Sequence, residues 1–210
     1  FTATAPDGSL WIVDFCRASV EHPDYMPPGV AATVDHRAGD DAGRIWRVRR
    51  TGTTARPWSA PTTPDEAVGL LGDPIGWRRD TAQRLLVEGR FPDERTEYTL
   101  RALLEGARAT PIARIHALRV LDGLSRLPVR DIERAAASDD AALREEGLRL
   151  AREGEGILFP AGADTTDLRR ALCERIARGS VDHPDGAVRL AAILALAGSP
   201  SEAATEALAA

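Results

Sequence analysis

One short pattern occurs four times in this chain, and it constrains the fold more than any other feature. Each copy has an arginine, a small residue three positions later, and two apolar residues three and four positions after that. The copies begin at Arg79, Arg114, Arg144 and Arg189, in steps of 35, 30 and 45 residues. Another amphipathic segment precedes each copy, so each unit is predicted to be a helix pair. Such units are typical of an α-solenoid, where a small residue lets helices approach and each pair buries its face against the next.

Helix-start signals precede the second helix of each predicted pair. The four stretches read "GDPIGW", "ATPIAR", "SDDAAL" and "DHPDGA". Each offers Asp, Thr or Ser as an N-cap, and three have proline in or near the first turn. A cation near a helix N-terminus is disfavoured by the helix dipole, so we expect a carboxylate partner for each repeated arginine, such as Asp73 or Asp139. The arginines would then form a structural ladder; the alternative is an anion-binding row.

The first 50 residues indicate β-strands and irregular structure. Two β-prone runs flank Pro6-Asp7-Gly8-Ser9, which predicts a hairpin, and "GRIWRVRR" predicts a third strand. The connection between them is about 25 residues long, and a connection of that length is usually functional or ordered by its own contacts. A hairpin plus one strand is marginally stable alone. We therefore expect a larger sheet whose other strands lie upstream of residue 1.

These patterns predict a mainly α fold with three segments. Residues 1–50 form a small antiparallel β segment, residues 51–63 form a linker rich in Thr, Pro and Gly, and residues 64–210 form a solenoid of four to five helix pairs. The net charge is −5 and no arginine cluster is free of neighbouring acids. Nucleic acid is therefore not an expected partner. No apolar run approaches the roughly 20 residues that a membrane span requires.

The connection within residues 14–41 carries the candidate site. Its candidate residues are Asp14, Arg17, Glu21, His22, Arg37 and Asp40. A histidine with carboxylates and a guanidinium can transfer protons or bind a polar substrate. The alternative is that Arg17 and Arg37 clamp the acidic residues Glu21, Asp40 and Asp41, so that the loop stays folded. The histidines and aspartates of this loop match no metal-ligand signature, so no metal is expected.

Two pairs of stretches resemble a known family. "DGSLWIVDFCRASVEHPDYMPP" followed by "DHRAGDDAGRIWRV" is similar to the last propeller blade of the large membrane-bound dehydrogenases of the Planctomycetes and Verrucomicrobia group. "GDPIGWRRDTAQRLLVE" and "ARIHALRVLDGL" resemble the HEAT-like repeats that follow that propeller. The resemblance covers nearly the whole chain.

The resemblance implies a secreted or periplasmic protein. Its propeller would be similar to those of soluble sugar dehydrogenases that use pyrroloquinoline quinone (PQQ), often with a c-type haem domain beyond the solenoid. This chain contains no Cys-x-x-Cys-His for covalent haem, and Cys16 stands where the family pattern has an aromatic residue. We expect no cofactor in this chain, and any PQQ or haem would belong to a longer parent protein.

The expected function is therefore a non-catalytic C-terminal scaffold and interaction region of a larger dehydrogenase. Its partners would be the rest of the propeller upstream, and a haem domain or another protein on the solenoid. Two alternatives stay open: a free-standing HEAT-repeat adaptor that binds a protein, and an enzyme with its site in residues 14–41.

Overall fold

The computed structural model describes residues 1–54, 57–162, 164–197, 199 and 201–209. Residues 55 and 56 of the predicted linker lie outside the described residues, as do residues 163, 198, 200 and 210 of the predicted solenoid. The chain divides into two compact units. One comprises Phe1–Ser59 and Ile75–Trp77, and the other comprises Ala60–Pro74 and Arg78–Ala210.

The first unit contains an antiparallel three-stranded sheet. Its strands are β1 (Thr2–Thr4), β2 (Leu10–Asp14) and β3 (Arg44–Val48), in the order β1-β2-β3. The predicted hairpin and third strand are therefore confirmed. The connection between β2 and β3 contains a 3-10 turn at Pro23–Tyr25 and a short helix, α1 (Pro28–Ala31).

A polar network ties the hairpin turn to the third strand. The carboxylate of Asp7 accepts hydrogen bonds from the Ser9 amide at 3.0 Å and the Ser9 hydroxyl at 2.7 Å, and it pairs with Arg47 on β3. Gly8 has φ +83°, which this turn requires and which glycine adopts without strain. The hydrogen bonds from Ser9, with Arg47, lower the pKa of Asp7 to about 2.

The strand register places large apolar side chains on both faces of the sheet. Val13 lies opposite Ile45, and Ile12 lies opposite Trp46. Paired residues share a face and successive residues alternate, so Val13 and Ile45 lie on one face and Trp46 on the other. Both faces are partly open, because 69% of Ile45 and 54% of Trp46 is exposed. Antiparallel sheets normally bury at least one apolar face.

The second unit is mainly helical, as the sequence predicts. Its elements, with α3 beginning in the first unit, are α2 (Pro64–Gly69), α3 (Gly76–Val87), α4 (Asp93–Glu105), α5 (Pro111–Gly123), β4 (Leu127–Pro128), α6 (Val129–Ala136), α7 (Ala141–Glu153), β5 (Ile157–Leu158), α8 (Thr165–Ala177), α9 (Gly186–Leu196) and α10 (Glu202–Ala209). The short strands β4 and β5 pair in parallel, which the sequence did not predict.

Helices of the second unit contact their near neighbours along the chain. Contacts join α4 to α5, α6 to α7 and α8 to α9, which are three of the four predicted helix pairs. The second helices of successive pairs also contact one another, α5 with α7 and α7 with α9. Among the first helices of the pairs, α2 contacts α4 and α6 contacts α8. One cluster of buried apolar side chains runs through these helices and includes Leu118, Leu121, Leu148, Leu150 and Leu196.

The small residue of each repeat is buried, and Gly147 lies at a close helix contact. Ala82, Ala117 and Ala192 have no exposed surface. At Gly147, a Cβ atom would lie 2.9 Å from the Ala136 Cα on α6, and closer still to the Ala136 nitrogen. The predicted role of the small residue in helix packing is therefore confirmed on α7.

The predicted N-caps are confirmed for three of the second helices. The side chain of Thr110 accepts a hydrogen bond from the backbone N–H of Ala113, and Asp140 accepts one from Leu143. Asp185 accepts from the N–H groups of Ala187 and Val188. These caps satisfy backbone donors that have no partner within the helix, which fixes where α5, α7 and α9 begin.

Candidate functional site

The two ends of the candidate loop touch each other. The Ala18 amide donates to the Ala38 carbonyl at 2.9 Å. Gly39 has φ +87°, and a Cβ atom there would lie 3.2 Å from the Cys16 carbonyl oxygen. The close approach and the positive φ together favour glycine at this position. The loop is thus closed at its base by backbone contacts of its own residues.

Asp40 brings together the two arginines predicted to clamp the loop. The Arg37 Nε–H donates to Asp40 Oδ2 at 3.0 Å, and the Arg17 Nη1 lies 3.6 Å from the same oxygen. Arg17 also donates to the Arg37 carbonyl at 3.3 Å. One carboxylate therefore links two guanidinium groups that are 20 residues apart in the sequence. Partly exposed pairs of this kind each contribute about 0.2–1 kcal/mol to stability.

Asp14 lies beside this group but has a different partner. The Trp46 indole N–H donates to Asp14 Oδ2 at 3.0 Å, across the β2–β3 pair. Asp14, Arg17 and Asp40 line a shallow, open depression of about 300 Å³ at the ends of β2 and β3. The sequence did not predict the contact between Asp14 and Trp46, although both residues lie on the same face of the sheet.

Glu21 and His22 do not line that depression. Glu21 is exposed and makes no hydrogen bond or ion pair with any described residue. His22 Nδ1 accepts the Asp24 amide hydrogen at 3.3 Å, and its ring packs edge-on against Tyr25. Three of the six candidate residues therefore line the depression, and Arg37 contacts this group through Asp40. The remaining two, Glu21 and His22, are exposed farther along the loop.

The carboxylates of Asp14 and Asp40 both already accept hydrogen bonds from other side chains. Asp14 accepts an indole hydrogen and Asp40 accepts a guanidinium hydrogen, and no cysteine, serine or histidine of the described residues makes a hydrogen bond to either carboxylate. Within the described part of the chain, no group of three or more His, Cys, Asp or Glu side chains is arranged to hold a metal ion. The contacts hold two loop segments together, which is the geometry of a clamp.

The cysteines and the described residues of the candidate loop do not match the needs of the cofactors that the family resemblance implies. Covalent haem needs two closely spaced cysteines, but Cys16 is exposed and Cys173 is buried in a distant part of the sequence. PQQ carries three carboxyl groups and needs several free cationic or N–H donors in an enclosed site. The depression beside Arg17 is open, and that guanidinium already donates to a carbonyl.

The four repeated arginines share a contact that differs from the predicted one. Each guanidinium donates to a backbone carbonyl of the connection that precedes its helix. The acceptors are Asp73 for Arg79 at 2.7 Å, Gly106 for Arg114 at 3.1 Å, Ser138 for Arg144 at 2.8 Å and His183 for Arg189 at 2.7 Å. The acceptor lies six residues before the arginine in three copies and eight before it in the Arg114 copy.

The prediction of carboxylate partners for these arginines is therefore wrong. None of the four guanidinium groups lies within ion-pair distance of a carboxylate among the residues that the structure describes. Side chains on a helix point toward its N-terminus, so an arginine at the fourth helical position reaches back past the cap. The carbonyl groups of the connection are available there. The acids at the caps, Asp140 and Asp185, instead accept backbone N–H groups.

Sequence reasoning missed two polar contacts between helices. Arg79 Nε donates to His116 Nε2 at 3.3 Å, so the ring hydrogen lies on Nδ1, which contacts Gln83 Oε1 at 2.7 Å. Burial lowers the pKa of His116, and the Arg79 charge lowers it further. Arg119 on α5 pairs with Glu146 on α7, and burial raises the pKa of that carboxyl group.

Comparison with known proteins identifies one part of the chain. Residues 1–52 match the sequence model of a family described as "Domain of unknown function (DUF7133)". No curated protein sequence matches the chain, and no solved structure matches it. The matched range contains all three strands and the whole candidate loop. No helix in the described ranges is long and apolar enough to cross a bilayer.

Proposed function

We propose that this chain is the non-catalytic C-terminal scaffold and interaction region of a larger periplasmic sugar dehydrogenase linked to quinone or haem. In this proposal residues 1–50 are the end of a β-propeller and residues 64–210 are a HEAT-like α-solenoid. The solenoid would hold a haem domain or a partner protein. The catalytic groups and any PQQ site would belong to propeller blades upstream.

The observation that carries the proposal is that large apolar side chains are exposed on both faces of the sheet in the first unit. Trp11 and Ile45 are exposed on one face, and Trp46 and Val48 are exposed on the other. Burying a large apolar side chain contributes about 1.5–3 kcal/mol, so a sheet with both faces open is far from its stability optimum. In a propeller, each blade packs between two neighbouring blades, which covers both faces.

The repeated helix pairs support the solenoid part of the proposal. Successive second helices, α5, α7 and α9, contact one another in chain order. The arginine-to-carbonyl contact recurs in all four units. A series of similar helix pairs, each packed on the next, is how α-solenoids build extended binding surfaces.

The candidate loop supports the non-catalytic part. Arg17, Arg37 and Asp40 contact one another, and Asp14 is occupied by the Trp46 indole. A catalytic site needs groups that are free to contact a substrate. We therefore propose that this loop is a structural clamp.

The test of the proposal begins with the coding sequence upstream of the codon for Phe1. We expect further blade-like repeats there, about five for a six-bladed propeller, preceded by a secretion signal. An initiation codon immediately before this region would refute the propeller proposal. Fractionation of cells that express the gene should then place the product in the periplasm.

The clamp is tested in the parent protein by comparing Arg17→Ala with Arg50→Ala, an exposed control. Arg17→Ala should lower the melting temperature by about 1–4 °C, while Arg50→Ala should not. Turnover per folded molecule in a PQQ-dependent sugar oxidation assay should be unchanged in both. Lost turnover with unchanged melting in Arg17→Ala would make the loop a catalytic site instead.

A further inference from the structure

A cavity of about 200 Å³ lies among α4, α5, α6 and α7, away from the candidate loop in sequence. Four helices of two successive pairs contribute to its wall. The lining residues are Leu104, Arg114, Leu118, Asp131, Arg134, Ala135, Ser138 and Leu143. One part of the wall is therefore aliphatic, and the other part carries two guanidinium groups, one carboxylate and one hydroxyl.

The aliphatic part of the wall belongs to the core of the second unit. Leu118, Ala135 and Leu143 are at most 5% exposed. A water molecule occupies about 30 Å³ in the liquid, so the cavity has room for roughly six or seven atoms of that size. This is the size of a short branched hydrocarbon with one polar end group, and is smaller than a drug-sized ligand requires.

The polar part of the wall has more positive than negative charge. Asp131 is its one carboxylate, and that group is already within ion-pair distance of Arg101 at 3.5 Å, Arg130 at 3.8 Å and Arg134 at 3.9 Å. Arg114 pairs with no carboxylate among the described residues. The chain as a whole has a net charge of −5, so this local excess of guanidinium groups is not a consequence of overall composition.

Arg114 also has a donor without an acceptor. Its Nη2 donates to the Gly106 carbonyl at 3.1 Å, whereas its Nε–H is buried and has no hydrogen-bond partner. Buried donors without partners are uncommon in folded proteins. Ser138 Oγ accepts the Asp140 amide hydrogen at 3.1 Å, which leaves its own hydroxyl hydrogen available to an acceptor. The Ser138 hydroxyl hydrogen is thus available at the cavity wall, whereas the buried Arg114 Nε–H would reach an acceptor there only after a small side-chain movement.

We propose that this cavity binds a small organic carboxylate with a branched aliphatic tail. The carboxylate would accept hydrogen bonds from Arg134, Ser138 and, after a small side-chain movement, Arg114. The tail would lie between Leu118 and Leu143. Guanidinium groups recognise carboxylates through paired charge-assisted hydrogen bonds, and the aliphatic wall selects against hydrophilic anions. The ligand is either a free acid or the C-terminal residue of a polypeptide.

The experiment titrates the 210-residue chain with 4-methylpentanoate and follows the NMR signals of Leu118 and Leu143. A ligand with about eight non-hydrogen atoms is expected to give saturable shifts with a Kd on the order of 1 mM. The neutral analogue 4-methylpentanamide should bind about tenfold more weakly, because it lacks the charge that the guanidinium groups recognise. The same experiment with N-acetyl-leucine identifies the source: tighter binding than 4-methylpentanoate indicates a polypeptide C-terminus, and weaker binding indicates a free acid.

Two variants of α6 provide the matched comparison. Arg134→Gln removes a guanidinium that lines the cavity, and Arg130→Gln removes one that is similarly exposed and also lies near Asp131 but does not line the cavity. Arg134→Gln should weaken 4-methylpentanoate binding about tenfold, and Arg130→Gln should leave it within about twofold. Equal affinity for the acid and the amide, equal effects of the two variants, or the absence of saturable shifts would each overturn the proposal. The proposal does not depend on the dehydrogenase assignment, since it concerns only the helical unit.

Discussion

Gly147 marks the closest approach of α6 and α7, so adding one methyl group there tests the packing of this helix pair directly. A Cβ atom at Gly147 would lie 2.9 Å from both the Ala135 carbonyl carbon and the Ala136 Cα. These are backbone atoms of α6, which cannot rotate away as a flexible side chain would. Ordinary Cβ contacts begin at 3.4 Å, so Gly147→Ala must push the two helices apart by at least about 0.5 Å.

The expected loss of stability follows from two opposing contributions. Overpacking a well-packed core costs up to about 3 kcal/mol, and Gly147→Ala should lie at that upper end because the clash is with backbone. Alanine is a better helix former than glycine by about 1 kcal/mol. The net loss in the free energy of unfolding is therefore about 2 kcal/mol. For a chain of this length, that lowers the melting temperature by about 4–8 °C.

Gly69→Ala is the matched control for this measurement. Gly69 has helical backbone angles of φ −59° and ψ −32°, and a Cβ atom there would meet nothing within 4 Å. Its substitution should leave stability unchanged or raise it by up to about 1 kcal/mol. Urea denaturation followed by far-UV circular dichroism gives both values. If Gly147→Ala were as stable as Gly69→Ala, α6 and α7 would not pack as described.

Three further substitutions test polar contacts of the helical unit. Arg119→Met should cost about 3–5 kcal/mol in urea denaturation because it leaves Glu146 buried without its cation, and Arg119→Met combined with Glu146→Leu should recover most of that loss. Burial and a neighbouring guanidinium lower the pKa of His116, so the unfolded chain takes up that proton more readily than the folded one. The contribution of His116 to the free energy of unfolding should therefore be fully present above the ordinary pKa of 6.5 and decrease as the pH falls below it. His116→Gln should reduce this dependence of stability on pH. If the variant showed the same pH dependence as the unmodified chain, the environment assigned to His116 would be wrong. Arg144→Met should lower the free energy of unfolding by about 1.5 kcal/mol by removing a charge-assisted hydrogen bond to a carbonyl. Arg149→Met, on the same helix with the partly exposed partner Glu145, should lower it by about 0.5 kcal/mol or less.

Sequence patterns predicted the features that depend on local spacing. The helix starts at Thr110 and Asp140 could be predicted because a cap acts within three residues of itself. The small residue at Gly147 could be predicted because its position in the repeat is fixed relative to an arginine and an apolar pair. The hairpin could be predicted from its turn residues.

Features that depend on distant residues could not be predicted in this way. The parallel pairing of Leu127 with Ile157 joins two connections whose two-residue strands carry no alternating pattern. In the candidate loop, the sequence predicted an arginine clamp but not which acid it would use. Asp40 is shared by both arginines, whereas Glu21 has no partner among the described residues. The backbone path of the loop determines that choice, and composition alone does not encode the path.

The contacts of the repeated arginines explain why the arginine can be recognised in the sequence while the residue that accepts its hydrogen bond cannot. Each guanidinium binds a main-chain carbonyl, and every residue type supplies the same carbonyl. The acceptors are accordingly an aspartate, a glycine, a serine and a histidine, which share no side-chain chemistry. The residue that supplies the carbonyl is therefore free to differ from one copy to the next. An arginine that held a side-chain carboxylate would have required a conserved acid at a fixed distance, and the repeat would then have carried two invariant charges instead of one.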